Sequence, residues 1–337
     1  MDSRAALAAA FLARAGWGGA ERWFLAGDAS ARNYDRLRRG TDTAVLMDAP
    51  PDLGEDVGAF IRIGQHLSGL GLSAPRILAQ DPHAGFLLLE DLGDALFARI
   101  VTQGAAAENV LYAAAVDVLV RIAAGPAAPR LPDPTATDWA AAATFAPDWY
   151  AFAITGTRDD TAAFAAALGA ALSAHADGPR VMILRDFHAE NLLWLPNRAG
   201  LARVGLLDFQ LAQMGQPGYD LVSLCQDARR DVSPQTEAAV IRRFLDATGH
   251  SAADFALAYA VLGAQRALRI LGVFARLSLF AGKAAYVDLI PRVWGQLQRN
   301  LSHPALAPLA GICATLLPEP TASRLERIRA QCGSHRP

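Results

Sequence analysis

The chain has 337 residues, of which 53% are hydrophobic and 19% charged, and its formal net charge is -2. This length predicts two domains with a large core, and the near-neutral charge argues against a nucleic-acid-binding surface. The three cysteines are widely separated and form no Cys-x-x-Cys pair, which argues against disulfides or a zinc site and favours a reducing, cytoplasmic location. We expect neither a membrane span, because arginines interrupt the long apolar stretches, nor an obligate protein partner.

The first 94 residues predict a small β-rich lobe that follows a short amphipathic helix at residues 1–17. Strand-like runs occupy residues 23–25, 33–38, 43–48, 75–80 and 86–90. A helix is predicted over residues 56–70, where Val57, Phe60 and Ile61 recur at helical spacing. Small and polar residues at 27–32 predict a tight loop between the first two strands.

Residues 95–337 predict a larger, mostly helical lobe, so the fold class is α+β with two lobes. Helices are expected at residues 105–124, 137–154 and 160–176, and again from residue 219 to near the end. Between them, residues 181–207 show short apolar strands around a dense polar cluster. A ligand commonly binds between two such lobes.

Three polar residues in and after this cluster carry the main chemical signal. Asp186 is followed by Asn191 five residues later, and Asp208 follows the next pair of strand-like runs. Phosphoryl transfer needs a carboxylate that orients the attacking hydroxyl, together with hard oxygen ligands for Mg²⁺. Each residue alone would be an ordinary turn residue, whereas the three together at this spacing indicate a kinase site.

The segments 184–191 and 206–210 resemble the catalytic and metal-binding motifs of the aminoglycoside phosphotransferase and choline kinase superfamily, relatives of protein kinases. The resemblance implies a protein-kinase-like bilobal fold that uses ATP and Mg²⁺, with Asp186 as the catalytic base and Asn191 and Asp208 as metal ligands. It also implies that residues 87–94 form the hinge between lobes and that Asp220 braces the catalytic loop. The adenine would then lie near Glu90, Asp91 and Leu92.

A closer resemblance is to the bacterial N-acetylmuramate/N-acetylglucosamine anomeric kinases of cell-wall recycling. It rests on residues 27–34, 45–51, 208–210, 271–277 and 291–294, and it extends nearly end to end. It implies a small-molecule acceptor whose anomeric hydroxyl is phosphorylated. The excess of arginines over acidic residues in the late helices is consistent with this acceptor. A positively charged region suits a neutral or anionic acceptor better than a polycation.

Two positions depart from the superfamily pattern. Leu184 stands where many members have a histidine, and Met47 stands where the third strand usually carries a lysine that binds the nucleotide phosphates. Lys283 is the only lysine in the chain. Arg32 is therefore our first candidate for the phosphate-binding cation, because a guanidinium binds phosphate in a bidentate way. Weaker candidates are Arg36, Arg38 and Arg62.

Several readings remain open at this point. His188 is either a contact to substrate or, as we favour, a structural loop histidine, and Glu190 is expected to face solvent. Of Arg266, Arg269 and Arg276, one is expected to face the cleft. The acceptor could instead be choline, homoserine, an aminoglycoside or another sugar, and a nucleotide-binding pseudokinase is a further alternative. Choline would require aromatic groups, for which the candidates are Trp139, Trp149, Tyr150 and Trp294.

Overall fold

The computed structural model describes residues 3–27, 31–104 and 106–335. Contacts divide the chain into two compact units, which we call unit 1 (Met1–Arg121 and Ala189–Ala212) and unit 2 (Ile122–His188 and Gln213–Pro337). The lobe boundary at residue 94 was predicted from the resemblance to known kinases, and it stays a prediction. Three residues of the predicted loop, 28–30, lie outside the described residues.

Among the described residues the strands are β1 (Glu21–Gly27), β2 (Asn33–Arg39), β3 (Asp42–Asp48), β4 (Ile77–Asp81), β5 (Phe86–Glu90), β6 (Val181–Ile183), β7 (Leu192–Trp194), β8 (Val204–Leu206) and β9 (Gln213–Gly215). The α-helices there are α1 (Arg4–Arg14), α2 (Val57–Gly69), α3 (Phe97–Thr102), α4 (Glu108–Ala124), α5 (Ala136–Ala143), α6 (Phe152–Thr155), α7 (Ala162–His175), α8 (Tyr219–Cys225), α9 (Pro234–Thr248), α10 (Ala252–Leu279), α11 (Ile290–Leu301), α12 (Ala307–Leu316) and α13 (Ala322–Ala330). The expected small antiparallel lobe and larger, mostly helical lobe are confirmed.

Unit 1 is built on an antiparallel sheet with the strand order β1-β2-β3-β5-β4. Successive residues of a strand point to opposite faces, so one face can bury its apolar side chains while the other remains available to a ligand. On the buried face Leu37, Leu46 and Phe86 pack against helix α1. The rings of Phe11 and Phe86 stack with centroids 5.6 Å apart, which fixes α1 as the cover of this core.

A second part of unit 1 is the hairpin formed by β7 and β8. Leu192 pairs with Leu206, and the amide of Leu207 donates to the carbonyl of Asn191 over 3.0 Å. Helix α2 packs on the segment that follows, since the rings of Phe60 and Phe209 lie 4.7 Å apart. The hairpin therefore aligns the backbone at Asn191 with the residue that precedes Asp208.

Unit 2 is organised around the long helix α10. Tight packing surrounds Gly272, because a Cβ atom there would lie 2.0 Å from the carbonyl oxygen of Phe145. By length and composition α10 is also apolar enough to cross a membrane, but 72% of its most apolar stretch is buried inside the protein. Its length and hydropathy are accounted for by its place as a core helix.

One predicted helix differs from the structure. Residues 137–154 were expected to form a single helix, but α5 ends at Ala143 and a π-helix occupies Ala146–Ala151 before α6 begins. Pro147 lacks an amide hydrogen and so interrupts the regular hydrogen-bond ladder. The close approach of Gly272 to Phe145 occurs at the same break. The interruption is thus a packing feature that alanine-rich periodicity does not reveal.

Candidate active site

Unit 1 contains a pocket of about 400 Å³. Apolar side chains from the sheet and from the β7–β8 hairpin form part of its lining, namely Leu25, Val45, Leu89, Leu193 and Leu207. Polar groups converge at its edge, including those of Asp91, Asn191 and Asp208. An apolar pocket with a few convergent polar groups suits a flat heterocycle that carries a charged tail.

The predicted hinge residues line this pocket, as Glu90, Asp91 and Leu92 all contribute to it. The carboxylates of Glu90 and Asp91 already have partners within unit 1. Glu90 accepts from Arg198 over 2.8 Å, and Asp91 lies 2.9 Å from the Nε atom of Arg36. Because the side chains are engaged in ion pairs, the backbone groups of this segment remain the natural contacts for a base.

The two predicted metal ligands also line the pocket of unit 1. Asp208 has a positive φ of 54°, a backbone conformation that residues other than glycine seldom adopt and that marks functional turns. One of its carboxylate oxygens accepts from the side-chain amide of Gln210. An amide and a carboxylate oxygen are hard ligands that fit Mg²⁺, which takes its remaining ligands from water and phosphate. Within the described ranges no group of three or more His, Cys, Asp or Glu residues forms a protein-only metal site.

Arg32 is buried beside these ligands. Its Nε atom lies 3.2 Å from Glu55 Oε2, and its Nη2 atom lies 4.0 Å from Asp208 Oδ1. Glu55 also accepts the backbone amide of Ala31 over 3.1 Å, so it binds both the end of the loop and the guanidinium. Glu55 was not predicted from the sequence. The only local signal was an acidic residue shortly before helix α2. Only 7% of Arg32 is exposed, so it is not a solvated surface arginine.

The other arginine candidates have different surroundings. Arg36 lines the pocket but donates to Asp94 over 2.7 Å and to Asp91 over 3.0 Å, so it ties β2 to the hinge segment. Arg38 pairs with Glu21 on an exposed part of the sheet. Arg62 is absent from the pocket lining. Met47, at the position of the usual lysine, is fully buried in β3.

The loop of unit 2 that carries Asp186 is held by Asp220, which is the contact that the resemblance implied. The two carboxylate oxygens of Asp220 accept the backbone amides of Leu184, over 2.6 Å, and of Arg185, over 2.8 Å. Arg185 has a φ of 73°, and it immediately precedes Asp186. Leu184, at the position where the resemblance led us to expect a histidine, is buried with its apolar side chain. The brace therefore acts through the backbone and does not require a histidine at that position.

Burial shapes the charges around this loop. Burial, together with the charge of Asp186, raises the pKa of Asp220 from 3.8 to about 7, against the lowering effect of its two backbone hydrogen bonds. Burial, together with the positive charges of Arg229 and Arg266, also lowers the pKa of His188 from 6.5 to about 3. His188 is thus a neutral, buried imidazole, and its structural role stays a prediction. Glu190 is exposed, as expected, although it contributes to the rim of the unit 1 pocket.

Two of the late arginines and the four aromatic candidates of unit 2 are engaged in packing contacts. Arg266 is buried and donates to Ser223 over 2.9 Å and to the carbonyl of Gln226 over 3.1 Å. The guanidinium of Arg276 lies over the ring of Trp149, 5.7 Å from its centroid. The other three aromatic candidates lie in ring–ring contacts, Trp139 with Tyr219 and Tyr150 with Trp294. These contacts do not assemble an aromatic box for a quaternary ammonium group.

Comparison with known proteins places this geometry in context. The sequence profile of the phosphotransferase enzyme family matches residues 24–258. The N-acetylmuramate/N-acetylglucosamine kinase of Caulobacter vibrioides is 40% identical, and the alignment covers 91% of this chain and 95% of the relative. The protein of the same name from Pseudomonas aeruginosa is 34% identical, over 89% of this chain and 91% of the relative.

Solved structures match at the level of the fold. A choline/ethanolamine kinase family protein from Mesorhizobium loti superimposes with a TM-score of 0.59 at 16% identity, covering 97% of this chain and 100% of that chain. An ADP-bound aminoglycoside phosphotransferase gives a TM-score of 0.55 at 13% identity, with coverages of 82% and 92%. The kinase-like fold expected from the sequence is therefore confirmed.

Proposed function

Because this chain belongs to the phosphotransferase enzyme family, we propose that it is an ATP- and Mg²⁺-dependent kinase that phosphorylates the anomeric hydroxyl of N-acetylmuramate, N-acetylglucosamine or both. The observation that carries the substrate assignment is the 40% identity to a relative of that name along nearly the whole of both chains. The pocket of unit 1 supports nucleotide binding independently, through its apolar lining and its convergent oxygen ligands.

The nucleotide would occupy the pocket of unit 1. Val45 and Leu193 offer apolar contacts for adenine, while the backbone of the segment from Glu90 to Leu92 offers hydrogen bonds. Arg32 would bind the phosphates in place of the missing strand lysine, positioned by its contact with Glu55. A buried guanidinium is suited to this task because it stays protonated and presents a planar pair of donors.

Asn191 and Asp208 are the residues that would bind Mg²⁺. The metal ion, when bound, supplies positive charge that offsets the charge developing on the transferred phosphoryl group. Arg32 lies near Asp208 and adds a fixed positive charge to the same region. The protein's contribution here is electrostatic, which is the main requirement of a loose phosphoryl-transfer transition state.

Asp186 would orient the acceptor hydroxyl and accept its proton. The acceptor oxygen forms a bond to the γ-phosphorus while the bond between that phosphorus and the β–γ bridging oxygen breaks, so the products are the sugar 1-phosphate, ADP and a proton. The backbone brace from Asp220 to Leu184 and Arg185 fixes the residue that directly precedes Asp186. Such positioning supplies much of the rate enhancement in reactions of this class.

The experiment that tests this proposal is ADP release by the purified protein with ATP and Mg²⁺, using N-acetylmuramate, N-acetylglucosamine, choline, homoserine and kanamycin as acceptors. We expect turnover with the N-acetylated sugars alone, and phosphorus NMR of the product should show a phosphate on the anomeric carbon. Turnover with choline, homoserine or kanamycin instead would overturn the substrate assignment and retain the kinase. ADP binding without turnover on any acceptor would favour the pseudokinase alternative.

A further inference from the structure

Asp227 is a buried carboxylate in unit 2 that the mechanism above does not use. It follows the end of helix α8 by two residues, and only 1% of its surface is exposed. Its Oδ1 atom accepts the backbone amide of Arg229 over 2.8 Å. Its Oδ2 atom is fully buried and has no hydrogen-bond partner in the part of the chain that the structure describes.

An arrangement of this kind is costly unless a ligand completes it. Leaving a buried acceptor without a donor costs roughly 1–3 kcal/mol, and the cost is higher for a charged group. Asp220, which lies seven residues earlier and is equally buried, shows the contrast, because both of its oxygens accept backbone amides. A carboxylate with a purely structural role would be expected to resemble Asp220 rather than Asp227.

The surroundings of Asp227 place it in the same charged neighbourhood as the catalytic loop. Arg229 and Arg266 act electrostatically on Asp227, and the same two arginines act on His188. Burial raises the pKa of Asp227, while these guanidinium groups oppose that shift. Helix α8 also connects Asp227 to Asp220, which fixes the backbone immediately before Asp186.

We propose that Asp227 is a specificity-determining residue for the acceptor, whose Oδ2 atom accepts a hydrogen bond from a hydroxyl or amide N–H of the sugar. This proposal rests on the proposed function, and it names the kind of contact by which a neutral or anionic N-acetylated sugar is recognised. A cationic acceptor is disfavoured, because guanidinium groups already surround the carboxylate and a further positive charge would be repelled. A hydroxyl or amide donor satisfies Oδ2 without adding charge.

The test is the steady-state kinetics of Asp227→Asn. The asparagine keeps the shape of the side chain and an acceptor oxygen for the Arg229 amide, but it presents an NH₂ group where Oδ2 now accepts. We expect kcat/KM for the N-acetylated sugars to fall by about 10- to 100-fold, mainly through KM, because a site built to accept a hydrogen bond rejects a mismatched partner strongly. The KM for ATP should change by less than about twofold, since the pocket in unit 1 is untouched.

The matched control is Asp231→Asn, four residues further along the chain, where an exposed carboxylate pairs with Arg292. This control should leave the kinetics with both sugars unchanged. An Asp227→Asn enzyme with an unchanged sugar KM, or one in which the KM for ATP rises as much as that for sugar, would overturn the inference. Asp227→Ser repeats the test should the asparagine variant not fold. Failure of the proposed function is recognised separately, because the wild-type enzyme would then use another acceptor, on which the same comparison is made.

Discussion

The two units of the molecule use charge in different ways. Around the pocket of unit 1, arginines pair with carboxylates near solvent, as Arg36 does with Asp94 and Arg198 with Glu90. Several polar groups of unit 2 instead lie within helix packing and bind backbone atoms or one another, as the buried amide pair of Gln226 and Asn300 does, although Asp231 and Arg292 pair near solvent there as well. An arginine that pairs with a carboxylate near solvent can release it and bind a phosphate instead. Buried polar groups mainly fix the positions of the backbone and side chains around them.

This comparison leads to a general expectation for the effects of substitutions. Changes to the charged residues of unit 1 should alter nucleotide affinity and leave the fold largely intact. Changes to the buried polar residues of unit 2 should alter turnover, stability or both, because removing one partner leaves another polar group buried without a donor or acceptor.

The largest effect is expected for Asp186→Asn. The amide cannot accept the proton of the acceptor hydroxyl, so kcat should fall by about 10³-fold or more while the affinity for ADP is retained. ADP release and isothermal titration with ADP measure the two quantities. Asp159→Asn, at an exposed position of unit 2, is the matched control. A residual kcat within tenfold of wild type would remove Asp186 from the role of base.

The second prediction concerns the pH dependence of stability and Asp220. Its pKa in the folded protein is about 7, against an ordinary value of 3.8, so the protonated form is favoured in the fold. The stabilising contribution is therefore complete below about pH 4 and is lost as the pH rises through about 7. Relative to Asp220→Asn, the wild-type free energy of unfolding should fall by on the order of 4 kcal/mol across this interval.

Urea unfolding of both proteins at a series of pH values between 4 and 8 gives that difference. Referencing wild type to the variant removes contributions from all other titrating groups that the substitution does not disturb. A difference that stays constant with pH, or that grows in favour of wild type as the pH rises, would contradict the raised pKa of Asp220.

The third prediction concerns Arg32 and its partner Glu55. Arg32→Ala should raise the KM for ATP by about 10- to 50-fold, since a charge-assisted contact to phosphate is lost, and Arg32→Lys should restore part of it. Glu55→Gln should have a smaller effect in the same direction, because the guanidinium loses its positioning partner. An unchanged KM for ATP in Arg32→Ala would show that another group binds the phosphates.

The smallest effect is expected for Arg36→Gln, which releases Asp91 and Asp94 from their pairs. The hinge segment then loses one tie to β2, and we expect the KM for ATP to rise by about two- to fivefold with kcat unchanged. Arg38→Gln, on the same strand but paired with the exposed Glu21, is the matched control and should be neutral. If Arg36→Gln and Arg38→Gln changed the KM for ATP equally, the contact between Arg36 and the hinge segment would have no role in nucleotide binding.

The placement of the two predicted metal ligands beside one hairpin was accessible from sequence because it is local. Asn191 directly precedes β7 and Asp208 follows β8 by two residues, so the hairpin itself relates these two positions, whereas the role of Asp186, in unit 2, stays a prediction. The two lobes were likewise predictable, since alternating and helical periodicities separate along the chain. Residue-level boundaries were less accurate where packing, rather than periodicity, ends an element.

Glu55 and Asp227 were not predicted, for a physical reason common to both. The partner of Glu55 lies 23 residues away on a different element, and nothing in the local pattern relates the two. Asp227 stands in a run with Arg229 and Arg230 that reads as a solvated helix end, but the helices of unit 2 bury it. Whether a charged residue is buried depends on tertiary packing, which cannot be predicted from the pattern of a single sequence.

The distribution of amines in this protein has a practical consequence. Lys283, four residues after the end of helix α10, carries the only lysine ammonium group in the sequence, and unit 1 has no lysine at all. Reagents that acylate a lysine beside bound nucleotide, such as acyl-phosphate derivatives of ATP, therefore find no target in its pocket. The same scarcity makes the protein convenient to label, because an amine-reactive dye used above the pKa of the α-amino group can attach only at Lys283 and at the amino terminus.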